Sequence, residues 1–192
     1  MSHRWDCPQV TVQEPPLDFS FKGINFIQDL VSEEPREGPR PLRRSPEGKA
    51  LTQALRLNNN ALSDMNDLSQ TLTQLLERPQ DLAWIDLSFN DLSNIDPILT
   101  AYSNLSIIYL HGNCIQRLGE VDKLAALPLL RSLTLHGNPI QEQKGYRQYV
   151  LSALPHLTTF DFSGVTGQDR ATALLWKQMN HRPKKVKIKH PD

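Results

Sequence analysis

One eleven-residue pattern recurs along this chain and fixes most of what it can fold into. TQALRLNNNAL (52–62), LAWIDLSFNDL (82–92), LSIIYLHGNCI (105–115) and LRSLTLHGNPI (130–140) all fit LxxLxLxxNxL, with Leu or Ile at the apolar positions and Thr52 as the one exception. A degenerate copy, LTTFDFSGVT (157–166), keeps Leu157, Phe160 and Phe162 but has Val165 where the asparagine belongs. The anchors Leu55, Ile85, Ile108, Leu133 and Phe160 follow one another at intervals of 30, 23, 25 and 27 residues. A period of this size means a solenoid. The LxL step has strand period, so its two apolar residues face one side and their neighbours the other. No single strand of this kind buries its face alone, but a parallel stack shares one continuous core. Asn60, Asn90, Asn113 and Asn138 stand where the chain leaves each strand, and an amide there supplies donors and an acceptor to the turn.

The segments between strands are expected on the opposite, convex side. Asp96 is placed to cap a helix opened by Pro97. Met65, Leu68, Leu72, Leu75 and Leu76 have helical spacing and predict a helix ending before Pro79. Tyr146, Tyr149, Val150 and Leu154 mark another helix face, closed by Pro155. Thr166 and Asp169 have capping-box spacing and open a last helix, with Ala171, Leu174, Leu175 and Met179 inside, that covers the final repeat. The predicted fold class is therefore α/β: a repeat solenoid with a parallel sheet on its concave face, a helical and irregular convex side, and a C-terminal cap.

The expected organisation is a flexible tail over 1–16, a cap segment and Pro-rich linker over 17–48, the repeat domain with its cap over 49–170, and a helix with a basic tail over 171–192. Half of the 14 prolines lie in the first 48 residues. Within them, LDFSFKGINFIQDLV (17–31) is too apolar for a linker. Phe19, Phe21, Ile24, Phe26, Ile27 and Leu30 either cap the first repeat or form a short partner-binding motif.

YRQYVLSALPHLTTFDFSGVT resembles the C-terminal cap of intracellular SDS-type leucine-rich repeat proteins, over about 52–170. That group includes phosphatase regulators, an axonemal dynein light chain, a spliceosomal subunit and acidic nuclear phosphoproteins. VQEPPLDFSF, LAWIDLSFNDL, IYLHGN, LRSLTLHGNP and QKGYRQYVL are together similar to one family within it across essentially the whole chain. The resemblance implies a cytoplasmic protein without established enzymatic activity. Its axonemal relatives extend the expected compartment to the cilium.

Composition narrows the function classes. Two cysteines, Cys7 and Cys114, make neither a disulfide framework nor a Cys-rich metal module. The first residues lack the apolar core of a secretory signal, and no apolar run is long enough for a membrane span. Nucleotide, hydrolase and zincin motifs are missing. His111 and His136 share a repeat position near Cys114, but two histidines and a turn cysteine are a poor ligand set. Ser88, Ser132 and Ser163 lie on a flat face without a pocket for a nucleophile. No cofactor and no catalytic residue is expected.

What remains is protein binding, as an adaptor or scaffold that is monomeric or one subunit of a hetero-complex. A spliceosomal-type ribonucleoprotein subunit and a phosphatase regulatory subunit are the alternatives. The outward residues of the strands form the candidate partner surface: Arg56, Trp84, Asp86, Ile107, Tyr109, His111, Thr134, His136 and Asp161, with Trp84, Ile107 and Tyr109 as exposed anchors. The net charge is zero, yet residues 171–192 carry 6 Lys/Arg against 1 acid. Lys184, Lys185, Lys187 and Lys189 are either a solvated end or a contact to an acidic surface such as a microtubule or RNA. No aromatic residue follows Trp176, so sequence-specific nucleic-acid recognition is not expected. Ser45, in RRSPEG, is a candidate phosphosite.

Overall fold

The computed structural model describes residues 14–180. The tail lysines Lys184, Lys185, Lys187 and Lys189 lie outside the described residues. Seven short strands form one sheet in chain order: β1 (Leu17–Asp18), β2 (Ala54–Arg56), β3 (Trp84–Asp86), β4 (Ile107–Tyr109), β5 (Ser132–Thr134), β6 (Thr159–Phe160) and β7 (Ser163–Gly164). All neighbours pair in parallel except β6 and β7. The register aligns Leu55, Ile85, Ile108, Leu133 and Phe160 as one column, and Leu17 extends it at the start. Each of these side chains is buried, so the column is the spine of the core.

The asparagines form a ladder that joins each turn to the one before. Asn90 Nδ2 donates to the Leu57 and Leu87 carbonyls, while its Oδ1 accepts the Leu62 N–H. Asn113 and Asn138 repeat this arrangement one and two strands on. Asn60 does the same with the carbonyls of Phe19 and Leu57 and the N–H of Ile24. Each amide thus satisfies at least three backbone groups that the turn would otherwise leave unpaired.

On the convex side, α1 (Leu68–Leu75) stands at the predicted helix, and the next two connections, β3 to β4 and β4 to β5, are 3-10 turns. Asp96 caps one of them by accepting the Ile98 N–H at 2.9 Å. At the start of the chain, Phe19, Ile24, Ile27 and Leu30 are buried against the first repeat, while Phe21 and Phe26 are exposed. At the end, α2 (Tyr146–Ala153) packs on α3 (Gly167–Asn180). Thr166 and Asp169 make the reciprocal capping box at 2.9 and 3.1 Å. The inward face of α3 differs from the expected one. Ala173 is its buried residue, whereas Leu174, Leu175 and Met179 are 57–75% exposed. The helix is held instead by the Arg147–Asp169 fork and by Trp176 against Tyr149.

Candidate functional site on the concave face

The final strand departs from the predicted one, and the departure shapes the site. Pairing stops at Phe160, because Asp161 and Phe162 turn into left-handed backbone at φ 50° and 61°. In the earlier repeats, the second inward leucine donates its N–H to a carbonyl of the next strand, as Leu87 does to Tyr109. Here the Asp161 carboxylate replaces that carbonyl, accepting the Leu135 and His136 N–H groups at 2.7 and 3.0 Å. The chain is then free to reverse into β7. Phe162, expected in the core, lies outside it and reaches over the concave face.

Phe162 meets Tyr109, His111 and His136 edge-on at 5.2, 5.4 and 5.6 Å. Trp84 packs against Tyr109 at 6.1 Å, and Phe89 against His111 at 5.1 Å. The two histidine rings stack at 4.6 Å, 9° from parallel. The rings thus span three strands and two turns, and edge-to-face packing of this kind is favourable. Phe89 and Phe162 escaped the outward-residue count. Phe89 sits on the turn, and Phe162 occupies an inward position just past the point where β6 stops. The one sequence signal was the Val165 departure from the asparagine pattern.

Several predicted contact residues serve the fold itself. Thr134, expected to point out to a partner, is fully buried; its hydroxyl lies 2.7 Å from His111 Nδ1. Asp86 is also buried, accepting from the Ser88 N–H and hydroxyl. Asp161 binds Tyr146 Oη as well as the strand, at 2.7 Å. Arg56 pairs with Asp18 at 3.3 Å. Trp84, Ile107, Tyr109, His111 and His136 are half-buried, so Trp84 and Tyr109 present part of each ring and not a fully exposed face. The indole Nε1 of Trp84 is enclosed without a hydrogen-bond partner.

Electrostatics follows from this packing. Burial and the neighbouring His136 hold the His111 pKa below the ordinary imidazole value, so its ring is neutral at pH 7. Burial and the Asp86 carboxylate raise the Tyr109 phenol, and burial with the Asp161 bond raises Tyr146. Among the described residues, no group of three or more His, Cys, Asp or Glu is arranged to hold a metal ion. The arrangement is suited to binding, with apolar ring faces beside a few fixed polar groups.

A family model described as Leucine-rich repeat matches residues 82–188. Leucine-rich repeat-containing protein 51 of Bos taurus is 68% identical over 180 residues, 94% of each chain. This chain belongs to the leucine-rich repeat-containing protein 51 family. Its Homo sapiens relative of that name is 67% identical over 181 residues, again covering 94% of both. U2 small nuclear ribonucleoprotein A′ of Saccharomyces cerevisiae is 30% identical over 171 residues, 88% of this chain and 67% of that one. In the Drosophila melanogaster SNF/U2A′ complex, a chain with 19% identity superposes with a TM-score of 0.59, covering 81% of this chain and 93% of its own. That likeness, like the family, carries the same solenoid architecture.

Proposed function

We propose that this protein is a non-catalytic adaptor that binds a partner protein on its concave face. The observation carrying this reading is the cluster of Trp84, Phe89, Tyr109 and Phe162 around the stacked histidines. Soluble domains do not usually gather aromatic rings on a solvent-facing sheet, and such clusters match the composition of interface hot spots. Parallel repeats make the surface a shallow trough, which suits a protein segment better than a small molecule.

The proposed compartment is the cytoplasm, including ciliary or axonemal assemblies. A second reading, a ribonucleoprotein-type subunit, is favoured by the similarity to U2 small nuclear ribonucleoprotein A′. The phosphatase-regulator reading rests on the sequence resemblance alone. Affinity purification from ciliated and unciliated cells with wild type and the Trp84→Ala/Tyr109→Ala double variant tests the proposal. Each single substitution is expected to weaken a direct partner by at least ~2 kcal/mol while the fold survives. Full-strength binding by the folded double variant excludes the concave face. Nuclear residence with RNA-dependent recovery turns the choice to the ribonucleoprotein reading.

A further inference from the structure

His111 and His136 occupy the same repeat position on neighbouring strands, yet different groups fix their rings. Thr134 Oγ1 lies 2.7 Å from His111 Nδ1 and already accepts the Leu110 N–H at 3.2 Å. Thr134 is fully buried, and an unpaired hydroxyl proton there is costly. His111 Nδ1 is the acceptor within its reach. Assigned from this network, the neutral His111 ring carries its proton on Nε2. At His136 the roles reverse. Its Nδ1 faces Asp161 Oδ1 at 3.2 Å, and a carboxylate only accepts. When the His136 ring is neutral, its proton therefore sits on Nδ1 and the lone pair on Nε2.

Nε2 of His111 is thus a donor and Nε2 of His136 an acceptor, on rings stacked 4.6 Å apart. Among the described residues, neither Nε2 has a hydrogen-bond partner. Extended backbone offers the complement, because one residue turns its N–H and C=O to the same side. The row continues through Ser88 to Asn58, a buried residue 6% exposed. Asn58 Nδ2 donates to Asn59 Oδ1, but its own Oδ1 is enclosed without a donor.

Resting on the concave-face reading above, we infer that the His111–His136 pair binds one residue of an extended partner segment through its backbone N–H and C=O. The segment runs across the strands toward Asn58, and the rings of Phe89, Tyr109 and Phe162 receive its side chains. The histidines read chain conformation, and the aromatic walls read sequence.

The test uses the full chain and peptides selected on it from a random display library at pH 7.5. The best peptide is then remade with each backbone amide N-methylated in turn. One methylated position is expected to lose at least 10-fold in affinity. His136→Phe, which keeps a ring in the stack but removes the acceptor, should abolish that sensitivity. Imidazole ¹⁵N spectra of the free protein should show His111 protonated at Nε2 and His136 at Nδ1, and Thr134→Val should release the first. A flat methylation scan, a helical bound peptide, a selection yielding no peptide that needs the histidines, or matching tautomers in the two rings overturns the inference. If Trp84→Ala still abolishes binding in a flat scan, the concave-face reading stands without it. If Trp84→Ala and Tyr109→Ala leave binding intact, that reading falls as well.

Discussion

Four residues past each strand anchor the backbone turns left-handed: Phe21, Asn59, Phe89, Gly112 and Gly137 have φ between 53° and 71°. Glycine and asparagine take this conformation at little cost, whereas phenylalanine is strained there. Phe89 is held by its contact with His111, and it lies over Gly112. A Cβ on Gly112 would stand 2.6 Å from Phe89 Cδ1, whereas one on Gly23, at nearly the same φ, would meet open space. Gly112→Ala is therefore expected to cost roughly 3 kcal/mol, from backbone strain plus displaced packing. Gly23→Ala should cost about 1 kcal/mol from strain alone. Urea denaturation of the two variants checks this, and equal losses would mean that Phe89 yields freely. None of this was visible in the repeat pattern, which leaves the turn position unspecified. Only the positions that must be leucine or asparagine declare themselves in sequence.

Among the elements, the four central strands were legible because their apolar and asparagine positions carry the same roles in every copy. The first and last strands were not, for opposite reasons. β1 belongs to a copy, LDFSFKGI, with Phe19 for leucine and Lys22 for asparagine. It forms because Asn60 of the next turn lends its Oδ1 to the N–H groups of Lys22 and Ile24 at 3.0 and 3.1 Å. The fifth copy keeps its apolar spacing but does not extend as a strand, since a side-chain carboxylate substitutes for the backbone. Spacing cannot reveal that exchange. α3 misled for a related reason: its apolar residues suggest an inward stripe, yet the helix is anchored by Arg147, Asp169 and Trp176. A chain beginning at residue 49 would expose the β2 edge and the part of the core to which Leu17, Phe19, Ile24, Ile27 and Leu30 contribute. Such a chain should melt at a lower temperature and aggregate more readily. Unchanged melting would show that residues 14–48 do not stabilise the solenoid.

A stack of repeats is quasi-one-dimensional, so where an interaction sits decides how far its loss spreads. Glu120 lies mid-stack with its side chain 5% exposed, bound to Lys123 at 2.6 Å and Arg117 at 2.8 Å. It also accepts the Ile95 N–H of the preceding connection at 3.0 Å. Burial alone pushes its pKa up, but Lys123, the Ile95 N–H and Arg117 outweigh that and hold it below the ordinary 4.5. Asp169 sits at the end of the stack, and Arg147 with the Thr166 cap holds its carboxyl well below the ordinary 3.8. Both folded-state pKa values are depressed. Their stabilisation is therefore complete above the unfolded values and is lost as pH falls through the folded ones. Wild type should hold a stability plateau down to about pH 5 and decline below it. Glu120→Gln removes the charge from the centre and leaves Lys123 partly buried, so it should cost about 2–3 kcal/mol and flatten the acid decline. Because the loss uncouples two neighbouring repeats, its denaturation transition should also broaden. Asp169→Asn should loosen only α3 and α2, seen as faster amide exchange there, because its pair is partly solvated and only a terminal contact is lost. If the Asp169 variant accelerates exchange throughout β2–β5, or the Glu120 variant stays as sharp and acid-sensitive as wild type, the nearest-neighbour description of this solenoid fails.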